Sequence, residues 1–227
     1  MRDAVVVVLA AGSGERLGLD TPKAFVPLAG RPILARAVAS ALACPRVGLV
    51  VVAAPPGAED LAHAIVEPLG AHAVVTGGAT RHASVRAALA AVPAETAAVV
   101  CHDAARALAS QELFAAVLEA LPGWDGVVPC LPVADTVKRV VEGSVVRTEP
   151  REELGLAQTP QAFTAPALRD AHERATAAGL HFTDDAAALE WAGYRVRAVA
   201  GEARNFKVTD AEDLARAEAL LAEAVRG

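Results

Sequence analysis

The chain has 227 residues, with 21 Lys and Arg against 27 Asp and Glu, and a formal net charge of −6 at pH 7. This length suits one large domain over residues 1–227. The excess of acidic residues argues against a basic surface for nucleic acid, and an aromatic content of 4% argues against a surface on which bases stack. Hydrophobic residues make up 54% of the chain, but no apolar stretch approaches the ~20 residues of a membrane-spanning helix, so we expect neither nucleic acid nor membrane as a partner.

The N-terminus and the cysteines indicate a cytoplasmic protein. Residues 4–9 form a β-branched apolar run typical of a parallel strand buried on both faces. Asp3 interrupts the basic region that a secretory signal peptide would place before such a run. The three cysteines, Cys44, Cys101 and Cys130, are an odd number and lack metal-ligand spacing, so we expect core residues in a reducing compartment.

A loop of small residues follows the first predicted strand. It consists of Ala10, Ala11, Gly12, Ser13 and Gly14, and Arg16 and Lys23 come after it. Small residues let the backbone approach a ligand closely and offer N–H groups to anionic oxygens. The loop is no dinucleotide fingerprint, because Leu17 replaces the third glycine, and no P-loop, because the Gly-Lys-Ser/Thr ending is absent. We predict a phosphate-binding loop with two cations; the alternative is an ordinary strand-to-helix turn.

The chain then alternates between apolar runs and helical patterns. Strands are predicted over residues 47–53, 73–76, 97–101 and 126–129, and helices over 32–42, 59–67, 84–91 and 111–121. This alternation predicts an α/β fold with a mostly parallel sheet and helices on both faces. Ligands bind beyond the carboxyl ends of such strands, so the loops after Leu9, Thr76 and Cys101 should share one crevice.

The alternation breaks at Pro132. Residues 133–141 and 145–148 are predicted as two exposed strands of a projecting β-arm at about 132–152. Such a hairpin is marginally stable alone and leaves its edges unpaired, so we expect it to pack against a second copy of the chain. After the arm, a helix is predicted over residues 166–178, and a second helix extends from a cap at 183–185 to residue 191. A strand is predicted over 194–199. The last helix, over 210–225, begins at a capping box of Thr209 and Glu212.

Six ordered motifs together resemble one known family. They are residues 9–17 with Pro22-Lys23, then 77–85, 102–106, 135–138, 159–161 and 205–209. The first is similar to the signature of nucleotidyltransferases, and the series, from Val5 to about Leu220, resembles the 2-C-methyl-D-erythritol 4-phosphate cytidylyltransferases. The resemblance implies a Rossmann-like nucleotidyltransferase fold, transfer from CTP to a polyol phosphate with release of pyrophosphate in the non-mevalonate route to isoprenoids, Mg²⁺, and a homodimer joined by its arms.

The chemistry of nucleotidyl transfer calls for cations rather than a protein nucleophile. One phosphate oxygen attacks the α-phosphorus in line, so the protein positions the reactants and stabilises spread negative charge. The resemblance implies that Arg16 and Lys23 hold the triphosphate and stabilise the transition state. Ordinary solvated surface charge is the alternative for both residues.

Asp103 follows a predicted strand at its carboxyl end, where its oxygens could meet Mg²⁺ that the phosphates also hold. The alternatives are a cap or a salt bridge to Arg106. The resemblance implies that Arg106 grips the sugar phosphate, although Ala107 stands where the family usually has proline.

The resemblance also assigns the two substrates to further residues. It implies that Gly77, Gly78 and Ser84 read cytosine, with Ala79 where some relatives carry Asp; Arg81 and Ser84 could instead form a helix start with a partner charge. It further implies that the methylerythritol phosphate is bound by Lys207 of the same chain and by Thr136 and Arg151 of the neighbouring chain. Arg151 is assigned by its distance from Thr159, with Arg147 as the fallback, and a helix-capping contact is the alternative for Lys207.

The histidines receive no catalytic role. A phosphate nucleophile is already ionised at neutral pH, so His102, beside Asp103, is expected to be structural. Two other functions stay open at this point. One is a cytidylyltransferase for another polyol phosphate such as ribitol 5-phosphate, and the other is a non-catalytic nucleotide-binding subunit.

Overall fold

The fold is described by a computed structural model that covers residues 2–12, 14 and 21–226. Its strands are β1 (Ala4–Leu9), β2 (Pro27–Leu28), β3 (Arg31–Pro32), β4 (Val47–Ala54), β5 (Ala73–Thr76), β6 (Ala98–Asp103), β7 (Gly126–Pro132), β8 (Lys138–Val141), β9 (Ser144–Thr148), β10 (Gly155–Ala157), β11 (Gln161–Thr164) and β12 (Val196–Ala200). Its α-helices are α1 (Ile33–Ala43), α2 (Glu59–Val66), α3 (Arg81–Ala90), α4 (Gln111–Glu119), α5 (Ala165–Ala177), α6 (Asp185–Trp191) and α7 (Ala211–Arg226). None of these helices is long and apolar enough to cross a bilayer.

Eight of the strands form one central sheet, in the order β10-β7-β11-β6-β1-β4-β5, with β12 also paired to β7. Strand β1 lies between β4 and β6 and is parallel to both, and β5 is parallel to β4. Strand β11 is antiparallel to β6 and β7, so β7 runs in the same direction as β6. The predicted mostly parallel sheet is confirmed, and its parallel strands all end at one edge.

Helices cover both faces of this sheet, as the alternation predicted. Val6 and Val8 of β1 belong to a core cluster with apolar residues of α1, α2 and α4. Val5 and Val7 point to the opposite face and pack with residues of α3, α5 and α6. Successive side chains of a strand alternate between faces, so an unbroken apolar run such as β1 requires cover on both sides. Cys44 and Cys101 are buried in these two clusters, as expected, whereas Cys130 is half-buried.

The bounds of the predicted elements lie within three residues of the observed ones, except at the start of β8, which is described below. Strands β2, β3, β10 and β11 were not predicted, although β11 is a buried central strand. The capping box before α7 is also built differently. Asp210 accepts hydrogen bonds from the N–H groups of Glu212 and Asp213, and the Asp213 carboxylate accepts from the Thr209 N–H at 2.8 Å. Asp213 therefore takes the part predicted for Glu212.

Strands β8 and β9 form a separate exposed hairpin. Glu142 and Gly143, with φ angles of 49° and 80°, form its two-residue turn, which is the geometry that matches the twist of antiparallel strands. The first strand begins at Lys138 rather than at the predicted residue 133. Arg139 and Arg147 both form ion pairs with Glu149, at 2.6 and 2.8 Å, which hold the two strands together at the base of the hairpin.

Candidate functional site

A cavity of about 470 Å³ opens at the carboxyl edge of the parallel strands. Its lining comes from the segments that follow β1, β4, β5 and β6, joined by Lys23 and Lys207. The lining residues are Leu9, Ala10, Ala11, Gly12, Lys23, Ala24, Pro56, Gly78, Ala79, Thr80, Arg81, Ser84, Asp103, Ala104, Ala105 and Lys207. The three loops that were expected to share a crevice therefore do so.

The loop after β1 forms one wall of the cavity. Its path is fixed at the start, where the Ala10 N–H donates to the Ala53 carbonyl at 2.9 Å. Gly14 has a φ of +75°, and a Cβ at this position would lie 2.7 Å from the Cβ of Lys23. Only glycine tolerates both conditions, so the loop can close tightly against Lys23. Ser13 and Arg16, which the sequence assigned to the same site, lie outside the described residues.

The loop after β5 forms the opposite wall and is held by Ser84. Its hydroxyl accepts from the Gly78 N–H at 3.1 Å and lies 3.0 Å from the Thr80 carbonyl oxygen. A Cβ on Gly78 would come within 2.3 Å of the Ala83 Cβ, and one on Gly77 within 2.5 Å of the Ala11 Cβ. Both glycines are therefore required by close packing, and Ser84 fixes the shape of the wall.

Asp103, the last residue of β6, lies between two cations. Its Oδ2 accepts from Lys207 Nζ at 2.7 Å, and its Oδ1 lies 3.3 Å from Arg81 Nε. Its backbone N–H donates to the Thr159 hydroxyl at 3.0 Å. Burial by itself raises the pKa of Asp103, but Arg81 and Lys207 hold that pKa below its ordinary value. The carboxylate is therefore charged at neutral pH.

Arg81 links this carboxylate to a buried cluster behind the cavity. Its Nη2 donates to Asp185 at 2.7 Å, and the other oxygen of Asp185 lies 2.9 Å from His172 Nε2. The His172 ring stacks on His82 with 4.4 Å between centroids. Burial opposes the charge on Arg81, but Asp185 and Asp103 raise the pKa of its guanidinium, so the arginine is firmly cationic. The predicted partner charge of Arg81 is thus present, and two carboxylates, Asp103 and Asp185, provide it.

The sequence around Asp185 also fits a helix cap, so it does not by itself indicate a buried carboxylate. The pair Asp184-Asp185 was predicted to cap a helix, and the Asp184 side chain does accept from the Ala187 N–H at 2.9 Å. Asp185 instead turns inward and is 1% exposed. A buried carboxylate requires a charged or hydrogen-bonding partner, and Arg81 meets that requirement from a position 104 residues away in the chain.

Arg106 is held by backbone carbonyl groups, and its implied contact with the sugar phosphate stays a prediction. It does not line the cavity and forms no ion pair with Asp103. Its guanidinium donates to the carbonyl oxygens of Asn205 at 2.8 Å and Ala157 at 3.2 Å. The predicted salt bridge to Asp103 is therefore wrong. In this structure Arg106 ties β10 to the segment that carries Lys207.

Thr136 and Arg151 also lie away from the cavity. They line a separate hollow of about 360 Å³ beside the hairpin, together with Thr148, Glu149, Pro150 and Glu152. Arg151 Nη1 donates to the Ala134 carbonyl at 2.6 Å, and its Nε lies 3.4 Å from the Glu152 carboxylate. Arg147, the fallback, is occupied by Glu149. Within one chain, these residues do not line the cavity that Lys23, Asp103 and Lys207 share.

The residues that could hold a divalent cation are few. No group of three or more His, Cys, Asp or Glu side chains with metal-binding geometry occurs within the described part of the chain. Among the described residues that line the cavity, Asp103 carries the carboxylate. Mg²⁺ commonly binds proteins through one or two carboxylates, with phosphates and water completing its shell. The donor set therefore fits a cation that arrives with a triphosphate.

His102 is a buried residue beside the cavity wall. It is fully buried, its Nδ1 lies 3.2 Å from the Thr159 hydroxyl, and its ring packs edge-on against Phe114 at 5.0 Å. Burial lowers the pKa of His102 to about 4. The imidazole is therefore neutral under ordinary conditions and faces the core rather than the cavity.

Comparison with known proteins gives one consistent result. The model of the 2-C-methyl-D-erythritol 4-phosphate cytidylyltransferase family matches residues 4–223. A curated cytidylyltransferase of this name from Rhodococcus opacus is 47% identical over 222 residues, which are 96% of this chain and 95% of that protein. The bifunctional enzyme IspD/IspF of Clavibacter michiganensis is 49% identical over 96% of this chain. Here the chain spans 54% of the relative, so it covers about half the length of such bifunctional proteins.

Solved structures give the same family. The enzyme of this name from Thermus thermophilus superposes with a TM-score of 0.78 at 40% identity, covering 94% of this chain and 97% of that one. The 4-diphosphocytidyl-2C-methyl-D-erythritol synthase from Anaerococcus prevotii superposes with a TM-score of 0.86 at 28% identity, covering 96% and 98%. The match extends over the sheet and helices that build the cavity.

Proposed function

The chain belongs to the 2-C-methyl-D-erythritol 4-phosphate cytidylyltransferase family of CTP-dependent nucleotidyltransferases, and on this premise we propose that it converts CTP and 2-C-methyl-D-erythritol 4-phosphate to 4-diphosphocytidyl-2-C-methyl-D-erythritol and pyrophosphate. This is a step in isoprenoid precursor biosynthesis. One observation carries the proposal for this chain: the glycine loop, Lys23, Asp103 and Lys207 line one cavity at the carboxyl edge of the sheet. We further propose that residues 1–227 form a single nucleotidyltransferase domain of a cytoplasmic enzyme.

The triphosphate of CTP is proposed to lie along the loop of residues 10–14. Backbone N–H groups of small residues suit phosphate oxygens, and the ammonium of Lys23, on the cavity wall, adds a positive charge. In the same proposal Arg16 provides the second charge at the α-phosphate. These groups oppose the negative charge that develops as the α-phosphorus becomes five-coordinate.

The acceptor phosphate is proposed to approach from the side of Lys207. One of its oxygens forms a bond to the α-phosphorus, while the bond between that phosphorus and the bridging oxygen of the β-phosphate breaks. The bonding electrons leave with pyrophosphate, and no proton needs to be removed from the nucleophile. Lys207 is well placed to orient the acceptor, because its ammonium lies at the cavity and is held by Asp103. Orientation of two bound reactants is a large part of the rate acceleration in reactions of this type.

Mg²⁺ is proposed as the cofactor, with Asp103 as its protein ligand. When bound, the cation offsets the charge of the triphosphate. Asp103 is suited to this part because its depressed pKa keeps it ionised. Lys207 and Arg81 contribute in turn by fixing both carboxylate oxygens in place.

The base is proposed to be read by the wall that Gly78 and Ser84 form. Ser84 is 3% exposed and holds the Gly78 N–H, so the backbone of this wall is rigid before the nucleotide arrives. A rigid polar wall rejects a mismatched base because its groups would be left without partners. CTP is therefore proposed as the preferred triphosphate.

A homodimer is proposed to complete the site. Thr136 and Arg151 lie outside the cavity of their own chain, and the hairpin exposes Val140, Val141, Val145 and Val146, each more than half exposed. Apolar strand surface of this kind calls for a partner. If the arm packs against a second copy of the chain, Thr136 and Arg151 would reach the cavity of that copy, where they would bind the acceptor phosphate.

The proposed function is tested by measuring pyrophosphate release from CTP with Mg²⁺ and a panel of polyol phosphates. We expect the highest kcat/KM with 2-C-methyl-D-erythritol 4-phosphate. A higher kcat/KM with ribitol 5-phosphate would assign the chain to another acceptor. Absence of release with every acceptor, from a folded protein, would favour a non-catalytic nucleotide-binding subunit.

A further inference from the structure

We propose that a hollow behind the candidate active site binds a small phosphate-bearing anion. The hollow has a volume of about 250 Å³, and three arginines from three different segments line it: Arg31 of β3, Arg36 of α1, and Arg204 of the loop after β12. None of these arginines lines the cavity assigned to catalysis. The rest of the lining is formed by Ala39, Ser40, Ala107, Leu108, Ala109, Ser110 and Leu221.

Arg36 is fixed in place by the turn between β2 and β3. Its Nε donates to the Leu28 carbonyl at 2.7 Å, and its Nη2 donates to the Ala29 carbonyl at 3.0 Å. Ala29 and Gly30 have φ angles of 46° and 75°, so this is a tight hairpin turn. A guanidinium carries five N–H donors. Three of them remain for a ligand, from a side chain that is already oriented.

The positive charge of the hollow is not neutralised by the protein. Within the described residues, no carboxylate lies within 4.0 Å of the guanidinium nitrogens of Arg31, Arg36 or Arg204, although other arginines do form such pairs. Burial lowers the pKa of Arg36, and the nearby cation Arg31 lowers it further because like charges repel each other. An anion between them would relieve this repulsion.

Three carboxylates close to these segments are hydrogen-bonded to groups other than the arginines. Glu202 accepts hydrogen bonds from the Ser110 N–H, at 3.3 Å, and from the Ser110 hydroxyl. Glu218 lies 3.5 Å from the Ala29 N–H, and Glu112, which senses the charge of Arg204, is bonded to Gln111 at 3.0 Å. None of these three glutamates lines the hollow, whose lining consists of arginine, serine and apolar side chains.

The size and chemistry of the hollow define the class of ligand. Guanidinium groups bind carboxylate and phosphate oxygens through paired N–H donors, and a phosphate group, with a charge of about −1.5 to −2 at pH 7, suits three clustered arginines better than a single carboxylate does. A volume of about 250 Å³ is below that of sites for drug-sized ligands, so a phosphate or diphosphate group fits better than a whole nucleoside triphosphate. Residues 107–110, which form one wall of the hollow, follow shortly after Asp103 at the end of β6. Arg204 precedes Lys207 by three positions. The hollow therefore adjoins both segments that carry the candidate active site.

The test is titration calorimetry with inorganic pyrophosphate in low salt without Mg²⁺. The Arg31→Gln/Arg204→Gln protein removes two exposed charges and leaves Arg36 on its turn. The Arg197→Gln protein is the matched control, because Arg197 is exposed on β12 and lines none of these cavities. We expect the double variant to lose or weaken one binding event by about tenfold, the scale for two exposed charge contacts. The control should retain it.

Two further measurements separate this site from the catalytic cavity. The Lys23→Ala protein should keep the binding event that the double variant loses, since Lys23 lines only the other cavity. The initial rate of pyrophosphate release by the double variant, with no anion added beyond the two substrates, should equal that of the unmodified protein. Equal pyrophosphate affinity and stoichiometry in the double variant and in Arg197→Gln would overturn the proposal, as would loss of the event in Lys23→Ala.

Discussion

The ammonium of Lys207 donates to Oδ2 of Asp103 at 2.7 Å, although 104 residues separate the two in the chain. This contact joins the loop before α7 to the end of β6. Arg81 occupies the other oxygen of the carboxylate, so Asp103 is held on both sides. The pair therefore sets the charge and the position of the carboxylate on the cavity wall.

The first prediction concerns this pair. Replacing Lys207 by Gln removes one of the two charges that depress the pKa of Asp103, so we expect that pKa to rise toward its ordinary value. Turnover should fall by about 10²-fold or more, the scale for the loss of a preorganised charge. Carbon NMR of the labelled carboxylate measures the pKa, and pyrophosphate release measures turnover. The Arg197→Gln protein is the control, and an unchanged Asp103 pKa in Lys207→Gln would contradict the assignment.

The second prediction concerns base selection. Ser84→Ala removes the hydroxyl that accepts from the Gly78 N–H, so the wall that faces the nucleotide should loosen. We expect the unmodified protein to use CTP far better than UTP and the variant to narrow this gap by about 1 kcal/mol, the value of one neutral hydrogen bond. The ratio of kcat/KM for the two triphosphates measures the effect. Ser144→Ala, on the exposed hairpin, should leave the ratio unchanged; equal use of UTP by the unmodified protein would refute the cytosine assignment.

The third prediction tests the crossing of the arm. If Arg16 acts in its own chain and Arg151 in the neighbouring one, Arg16→Ala and Arg151→Ala homodimers should each be nearly inactive. Refolding or co-expressing the two together should restore activity, because each mixed dimer then has one intact site. With random exchange half of the dimers are mixed, so recovery should approach roughly a quarter of the unmodified activity. No recovery from demonstrated mixed dimers would place Arg151 in its own chain's site or outside catalysis.

The fourth prediction concerns His102 and pH. Its pKa in the folded protein is about 4, against an ordinary 6.5, so the unfolded chain binds more protons between these values. Its contribution to stability is complete above pH 6.5 and is lost as pH falls toward 4. The full loss would be about 3 kcal/mol at 1.36 kcal/mol for each pKa unit. Urea unfolding at pH 7, 5.5 and 4.5 should show this decline, and His102→Asn should show a flatter one. Parallel declines in the two proteins would show that His102 is not the source.

Much of the fold could be predicted because its signals are local. Unbroken β-branched runs such as β1 require cover on both faces, and their alternation with helical patterns requires parallel pairing. Strand β11 carries no such signal, because it is short and follows Pro160, and its burial depends on the distant strands β6 and β7 that flank it. Strands β2 and β3 carry too little local signal because each has only two residues.

The candidate site likewise has a part that the sequence predicts and a part that it does not. The meeting of the glycine loop, Gly78 and Asp103 could be predicted, because carboxyl ends of parallel strands share an edge. The Arg81–Asp185 contact could not, since Asp185 stands in a sequence that also fits a helix cap. The contacts of Arg106 could not be predicted for a related reason: its partners are the backbone carbonyls of Asn205 and Ala157, and the sequence does not indicate backbone acceptors.

The central claim is that this cavity transfers a cytidylyl group to 2-C-methyl-D-erythritol 4-phosphate. Phosphorus NMR of the products, after incubation of the protein with CTP, this acceptor and Mg²⁺, tests it most directly. We predict one new diphosphate ester for each pyrophosphate released, with Lys23→Ala slower by about 10²-fold or more. Consumption of CTP without a diphosphate ester, or no consumption at all by the folded protein, would contradict the account.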